Sequence, residues 1–332
     1  MTGRLQRMLD RAWYGDSRWT RPLAPLAALT RAVASKRLER HLRNPLQPPI
    51  PVIVVGNITA GGTGKTPLVA MLARHALSQG LRPVIISRGY RARPPYLPWL
   101  VEADQSAEVA GDEPLLLATE TGVPVIIDPD RPRALAQAIS KHAADLVISD
   151  DGLQHFALPR SYEIVVIDGQ RGLGNGLCLP AGPLREPVER LDKVDLLVVN
   201  GEPAAENIPK TALQMDLLAD QVVSLMTQDA LSLKEFVTRH PRVHAVAGIG
   251  NPGRFFSALE AQGFEVDGRA FPDHHAYIEQ DVRFDDALPV LMTSKDAVKC
   301  RAFAGQGHWV VPVRASLPEN IVERIFAEAL LS

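Results

Sequence analysis

The chain has 332 residues, of which 46% are hydrophobic and 22% charged, and its formal net charge is −2. This length suits a large domain with a smaller one, and this composition is ordinary for a globular enzyme. The balanced charge gives no sign of nucleic-acid binding, and no apolar run is long enough to span a membrane as a helix. The N-terminus also lacks the apolar core of a secretory signal, so we expect a cytoplasmic location.

The first 48 residues form a basic, amphipathic arm. They contain ten Arg and Lys residues against three acidic residues, interleaved with Trp13, Tyr14, Trp19 and several leucines. A segment of this kind suits the headgroup region of an anionic bilayer. An arm that packs on the rest of the protein, with its charges in water, fits the sequence equally well.

Alternating apolar strands and helices follow the arm. A short, continuously apolar strand is predicted at 51–56, followed by a glycine-rich loop and a helix at 66–78. Further predicted elements are strands at 83–87, 123–127, 146–149, 163–167 and 195–199, helices at 112–120 and 131–143, and a long loop at 89–111. The alternation predicts an α/β fold of the P-loop NTPase type, with a mostly parallel sheet and helices on both faces.

Beyond about residue 200 the alternation becomes looser. Strands are predicted at 243–247 and 290–292, and helices at 253–262 and 318–331. We therefore divide the chain into the arm at 1–48, a nucleotide-binding core at 49–200, and a smaller α/β C-terminal domain at 201–332 that closes over the site.

The glycine-rich loop after the first strand has the features of a phosphate-binding P-loop. Gly64, Lys65 and Thr66 match the end of the GxxxxGK[ST] pattern, whereas Thr59 occupies its first position, so the loop is a GGxGKT variant. Lys65 can reach the β- and γ-phosphates of ATP, which makes it a catalytic candidate, and the Thr66 hydroxyl can bind Mg²⁺. The predicted nucleotide-binding residues are Ala60, Gly61, Gly62, Thr63, Gly64, Lys65 and Thr66.

A pair of aspartates follows the apolar strand at 146–149. Because the carboxyl ends of parallel strands meet at the ligand edge of a sheet, Asp150 and Asp151 should face the phosphates. Together with Thr66 they are predicted to hold Mg²⁺, and either aspartate could contact the metal directly. An acidic cap at the turn after the strand is the alternative.

A nucleotide site of this kind is compatible with a kinase, a GTPase or an ATPase. In residues 293–296, Lys295 is adjacent to Asp296, which departs from the N/T-K-x-D spacing of guanine-reading loops. Ala60 stands where partitioning-type ATPases have a lysine. A P-loop ATPase or GTPase switch that binds a protein partner is therefore the alternative to a kinase.

Taken together, the motifs resemble the tetraacyldisaccharide 4′-kinase family, the lipid A 4′-kinases of Gram-negative bacteria. The segments that carry the resemblance are 56–67, 87–90, 111–114, 150–155, 179–186, 248–252, 271–275 and 293–299. The chain departs from the family at Ser294, where Glu is more usual, and at Leu153, where Phe is more usual.

The resemblance implies a specific reaction. The family transfers the γ-phosphate of ATP, with Mg²⁺, to the 4′-hydroxyl of a tetraacyl glucosamine disaccharide 1-phosphate, giving lipid IVA. This acylated substrate stays in the bilayer, so we expect the enzyme to lie at the cytoplasmic face of the inner membrane as a peripheral or monotopic protein. No protein partner is implied.

The resemblance also implies catalytic roles. It places Asp112 and His274 at the acceptor hydroxyl, where a carboxylate and a histidine can remove the proton, and either residue could take it first. If these two residues meet, both halves of the chain form one site and a hinge lies near Asn200. Taken alone, Asp112 could instead be a helix cap.

Several further residues are candidates for the site. Arg185 is expected to stabilise charge on the transferring phosphoryl group because its planar donor fork suits phosphate; a surface ion pair with Glu186 or Glu189 is the alternative. Weaker candidates for substrate contacts are Gln154, Arg88 and Asp273.

Overall fold

The structure, a computed structural model, describes residues 3–15 and 19–331, with side chains from Met8 onward. Arg18 and some other parts of the basic arm therefore lie outside the described residues. The arm contains helix α1 (Gly3–Tyr14), a 3₁₀ turn (Arg21–Leu23) and helix α2 (Ala24–Arg43). No helix in the described ranges is long and apolar enough to cross a membrane.

The first sheet has nine strands and is mostly parallel. Its strands are β1 (Val52–Gly56), β2 (Pro83–Ser87), β3 (Trp99–Val101), β4 (Val125–Ile127), β5 (Leu146–Asp150), β6 (Tyr162–Asp168), β7 (Leu196–Asn200), β8 (Leu213–Leu218) and β15 (Arg314–Ser316). They lie in the order β15-β8-β7-β6-β1-β5-β2-β4-β3. Only the two edge strands, β3 and β15, run antiparallel to their neighbours, which confirms the predicted α/β class.

Helices cover both faces of this sheet. They are α3 (Lys65–Ser78), α4 (Ala107–Ala110), α5 (Asp112–Thr121), α6 (Arg131–His142) and α11 (Glu319–Leu331). Ile53 and Val55 of β1 share a core with α3, α5 and α11, whereas Val52 and Val54 share a core with α6. Because successive side chains of a strand point to opposite faces, a strand that is covered on both sides has a continuously apolar sequence.

The second sheet has six strands. They are β9 (Gln221–Ser224), β10 (Ala230–Ser232), β11 (Arg242–Ala247), β12 (Glu265–Ala270), β13 (Val290–Thr293) and β14 (His308–Val311), in the order β10-β9-β14-β13-β11-β12. Its helices are α7 (Leu233–Arg239), α8 (Pro252–Ala261), α9 (Glu279–Val282) and α10 (Ser294–Cys300), and α10 is followed by a 3₁₀ turn (Arg301–Phe303).

The division of the chain differs from the sequence-based boundary at residue 200. Strands β8 and β15 belong to the first sheet, and Val322, Ile325 and Phe326 of α11 are buried in its core. The apolar periodicity of a helix shows which face is buried, but it does not show which sheet that face covers. The segment 89–111, predicted as a loop, also contains strand β3 and helix α4.

The arm packs on the first sheet through one side and exposes apolar residues on another. Trp13 is buried and donates from Nε1 to the carbonyl of Pro180 at 3.3 Å, and the buried Thr20 hydroxyl donates to the carbonyl of Ala181 at 2.8 Å. Exposed large apolar side chains of the arm are Met8, Trp19, Leu26, Leu29, Val33, Leu42 and Leu46. The arm is thus a docked element that also presents an apolar surface to its surroundings.

Candidate active site

The glycine-rich loop connects β1 to the N-terminus of α3. Gly64 precedes the helix with a φ of +85°, and a Cβ atom there would lie 2.2 Å from Nδ2 of Asn200, so only glycine fits. Asn200, at the end of β7, donates from Nδ2 to the carbonyl of Thr63 at 3.1 Å. Gly61 and Gly62 are exposed at the top of the loop. This is the strand–loop–helix context that a P-loop requires.

Two amide side chains support the loop through hydrogen bonds to main-chain carbonyls. Nδ2 of Asn57 donates to the carbonyls of Thr59 and Gly61 at 2.9 and 3.2 Å. Gln154, predicted as a substrate contact, donates from Nε2 to the carbonyl of Asn57 at 3.0 Å and to Oε1 of Glu186 at 2.6 Å. The Gln154 amide group therefore supports the loop, and Asn57 is a part of the site that the sequence analysis missed.

The segment after β6 lies directly beside the loop. The N–H of Ala60 donates to the carbonyl of Pro183 at 2.7 Å, and the N–H of Arg185 donates to the carbonyl of Ile58 at 2.6 Å. Ala60 was predicted to bind the nucleotide, but its N–H is already used within the protein. The pairing places Arg185 beside Asp151.

Asp151 forms ion pairs with two positive side chains of the site. Its carboxylate lies 3.3 Å from Nζ of Lys65 and 3.2 Å from Nη1 of Arg185. Burial alone would raise the pKa of Asp151, but the charges of Lys65 and Arg185 outweigh it and lower the pKa to about 2. Asp151 is thus a stable carboxylate that faces the loop.

Asp150 is in a different environment. It is buried, and its Oδ1 atom has no hydrogen-bond partner among the described residues. Burial first, and then the negative charge of Glu113, hold the pKa of Asp150 well above its usual range. The guanidinium of Arg131, also buried, donates to the main-chain carbonyl of Asp150 at 3.1 Å. An oxygen without a partner at the carboxyl end of β5 suits a cation ligand.

Asp112 and His274 are in contact. Oδ2 of Asp112 lies 3.0 Å from Nδ1 of His274. Asp112 is the first residue of α5, but the cap position belongs to Gly111, and His274 has a φ of +59°. The Tyr90 ring packs edge-on against the imidazole, with ring centroids 5.4 Å apart. Burial would raise the pKa of Asp112, but the His274 hydrogen bond and the charge of Lys299 lower it.

Helix α10 adds residues to the site that the sequence analysis did not assign. Nζ of Lys295 lies 3.1 Å from Asp273, 3.3 Å from Glu113 and 3.4 Å from Nε2 of His274. Asp273, predicted as a substrate contact, is therefore bound to a lysine. The sequence analysis uses the segment 293–299 for the comparison with guanine-reading loops and for the family resemblance, and it predicts no helix there.

A second group of positive side chains lies near the end of β2. Arg88, a predicted substrate contact, follows this strand and is exposed. Burial, together with the charges of Arg131 and Arg88, lowers the pKa of His155 to about 4. Arg88 is thus an exposed positive charge at the carboxyl edge of the sheet, and such a charge suits an anionic substrate.

A sequence model of the family described as tetraacyldisaccharide-1-P 4′-kinase matches residues 19–330 of this chain. The chain belongs to this family. The tetraacyldisaccharide 4′-kinase of Alcanivorax borkumensis is 51% identical over 328 residues, covering 99% of each chain. The relative of the same name from Azotobacter vinelandii is 51% identical over 312 residues, covering 93% of this chain and 92% of its own.

A solved structure of the family agrees with the fold. The crystal structure of the family member from Aquifex aeolicus in complex with ATP superposes with a TM-score of 0.78 at 27% identity, covering 94% of this chain and 99% of that one. Family membership confirms the predicted kinase, which acts on a hydroxyl group in lipid A biosynthesis. A switch that binds a protein partner is not favoured.

Proposed function

We propose that the phosphoryl transfer takes place where the P-loop faces the Asp112–His274 pair. The acceptor is the 4′-hydroxyl of the tetraacyl disaccharide 1-phosphate, and ATP is the donor. The observation that carries the proposal is the 3.0 Å contact between these two residues, which come from units built on different sheets. Transfer of this kind depends on positioning and on neutralisation of charge more than on covalent chemistry.

The P-loop would hold the phosphates of ATP. The exposed residues Gly61 and Gly62 and the positive end of helix α3 suit phosphate oxygens. Lys65 is paired with Asp151 at 3.3 Å, and it can turn from there to the β- and γ-phosphates. Arg185, on the same carboxylate, would stabilise the charge of the transferring group.

Three oxygen donors at this edge fit Mg²⁺. Asp150 has a buried oxygen that has no hydrogen-bond partner in the part of the chain that the structure describes, Asp151 is ionised, and Thr66 lies in the first turn of α3. Oxygen ligands of this kind are those that Mg²⁺ prefers. When bound, the ion would neutralise negative charge on the phosphate oxygens, and it would also offset the burial of Asp150.

His274 would act as the general base, with Asp112 as its partner. An ionised Asp112 accepts the hydrogen bond from the Nδ1 proton, so the lone pair of the ring lies on Nε2. The sugar hydroxyl would replace Lys295 at Nε2 when the substrate binds, and Nε2 would then take its proton. The lowered pKa of Asp112 keeps it ionised for this role.

The arm would hold the enzyme at the anionic cytoplasmic face of the inner membrane. Leu26, Leu29 and Val33 are exposed on α2, which also carries basic residues such as Arg31 and Lys36. Apolar contact combined with positive charge favours an anionic lipid surface. An enzyme placed in this way meets a substrate that does not leave the bilayer.

A phosphate-transfer assay tests the proposal. Purified protein is incubated with γ-labelled ATP and the acylated disaccharide in mixed micelles, and ATP binding is measured separately by calorimetry. We expect Lys65→Met to weaken both binding and transfer. Asp112→Asn should bind ATP normally but transfer phosphate about 10²- to 10⁴-fold more slowly.

Exposed Asp285 provides the matched control, because Asp285→Asn makes the same chemical change away from the proposed site. Lipid product formed at the normal rate by Asp112→Asn would refute the proposed role of the pair.

A further inference from the structure

Helix α10 places two lysines against the Asp112–His274 pair. Lys295 and Lys299 are one helical turn apart, and their side chains are only 17% and 6% exposed. Both ammonium groups form ion pairs with carboxylates. Lysine is seldom buried without a specific partner, so these carboxylates account for the burial of both side chains.

The ammonium of Lys299 lies between two carboxylates. Its Nζ is 3.7 Å from Oδ2 of Asp112 and 3.0 Å from Oδ1 of Asp296. Asp296 is fully buried and is itself held, because its Oδ2 accepts the N–H of Gly248 at 3.0 Å and the hydroxyl of Thr293 at 2.7 Å. Buried charges are costly unless they are paired, so the three groups hold one another in place.

The same oxygen of Asp112 forms an ion pair with Lys299 and a hydrogen bond with His274. Oδ2 lies 3.7 Å from the lysine and 3.0 Å from Nδ1 of the imidazole. The charge of Lys299 therefore attracts this carboxylate and favours its ionised form. Without the lysine, Asp112 would be a largely buried carboxylate with one partner, and it would be free to rotate away from the imidazole.

Lys295 acts on the other side of the imidazole. Its Nζ contacts Nε2 of His274 at 3.4 Å and is held by Asp273 and Glu113 at 3.1 and 3.3 Å. Because an ammonium group has donors only, this contact fits the tautomer with the ring proton on Nδ1, facing Asp112, and the lone pair on Nε2, where the sugar hydroxyl would replace Lys295 when the substrate binds. Glu113 belongs to α5 and Lys295 to α10, so this contact also joins the two units.

We propose that Lys295 and Lys299 are positioning residues for phosphoryl transfer. Lys299 fixes the Asp112 carboxylate, and Lys295 fixes the tautomer and orientation of His274 in the junction between α5 and α10. The inference rests on the proposed roles of Asp112 and His274. Neither lysine needs to touch ATP, so their loss should lower kcat and leave the KM for ATP nearly unchanged.

Single substitutions to methionine test the proposal. Lys299→Met and Lys295→Met keep an unbranched side chain of similar length and remove the charge. We expect kcat to fall about 10- to 100-fold in each variant, with the KM for ATP within about twofold of the wild type. Lys234→Met is the matched control, because Lys234 is exposed on α7 of the same unit. Its kcat should not change.

A double-mutant cycle separates positioning from a structural role. If Lys299 acts through Asp112, adding Lys299→Met to Asp112→Asn should lower kcat little further. Multiplicative losses in the double variant, or a normal kcat in folded Lys299→Met and Lys295→Met, would overturn the inference. A normal kcat in Asp112→Asn alone would instead refute the proposed function on which it rests.

The experiment still decides the question if one lysine variant does not fold. Circular dichroism and ATP binding show whether Lys299→Met is folded. If it is not, Lys295→Met decides the question, because its more exposed side chain is less dependent on buried partners. A folded Lys295→Met variant with an unchanged kcat would then refute the proposal.

Discussion

Nδ1 of His274 lies 3.0 Å from Oδ2 of Asp112, although 162 positions separate the two residues in the chain. Asp112 begins a helix on the first sheet, whereas His274 lies in the connection between β12 and α9 of the second unit. The φ of +59° at His274 is uncommon for a residue other than glycine, and such backbone persists only where surrounding contacts hold it. The contact therefore depends on how the two units are packed together.

The two adjacent histidines, His274 and His275, should respond differently to the same substitution. His274→Asn removes the proposed base, so we expect kcat to fall about 10²- to 10⁴-fold with little change in ATP binding. Nε2 of His275 lies 2.8 Å from Asp281 of helix α9 and not at Asp112, so His275→Asn should keep most of the activity. Initial rates in mixed micelles measure both variants, and equal losses would argue against a specific role for His274.

Substitution of Asp150 should separate metal binding from stability. Asp150→Asn removes a proposed Mg²⁺ ligand, so we expect the Mg²⁺ concentration required for half-maximal activity to rise. Because burial disfavours the charged form of Asp150, the neutral side chain should not lower the Tm of the protein in EDTA. Rates at varied Mg²⁺ and melting curves in EDTA test the two effects. An unchanged Mg²⁺ requirement would exclude Asp150 as a ligand.

His155 should make stability depend on pH below neutrality. Burial and the charges of Arg131 and Arg88 lower its pKa from 6.5 to about 4, so the unfolded chain takes up the proton first as pH falls. This contribution to stability is present above about pH 6.5 and is lost as pH falls toward about 4. The Tm of His155→Gln should therefore fall less than the Tm of the wild type when the pH is lowered from about 7 to about 5. The two curves should be parallel between about pH 7 and 8, and parallel curves over the whole range would refute the prediction.

A single charge on the exposed face of α2 should weaken membrane binding. Leu29 is 62% exposed, so Leu29→Glu adds a negative charge without disturbing the packed side of the arm. We expect less of this variant to float with vesicles that contain anionic lipid, whereas ATP binding should be unchanged. Leu331→Glu is the control, because Leu331 is 88% exposed at the end of α11, outside the arm. Equal flotation of all three proteins would exclude this face as the membrane contact.

Sequence reasoning works best here where structure is local. The apolar run at 51–56, the glycines and Lys65 follow one another along the chain, so a strand, a phosphate loop and a helix can be predicted from their order alone. The position of Asp150 and Asp151 follows from the same logic, because parallel strands end at one edge of the sheet. Asp112 and His274 were paired only through the resemblance to a family, since no local pattern connects them.

The sequence by itself therefore determined the α/β class, the glycine-rich loop between a strand and a helix, and the place of Asp150 and Asp151 at the end of a strand, because hydrophobic period and glycine placement are properties of short segments. Only the tertiary structure decided that α11 returns to the first sheet, that the N–H of Ala60 and the amide of Gln154 are used within the protein, and that Lys299 reaches Asp112. The physical reason is that these contacts join segments far apart in the chain. Which residues meet depends on how helices and sheets pack against one another, and this packing cannot be inferred from residue type or spacing along the chain.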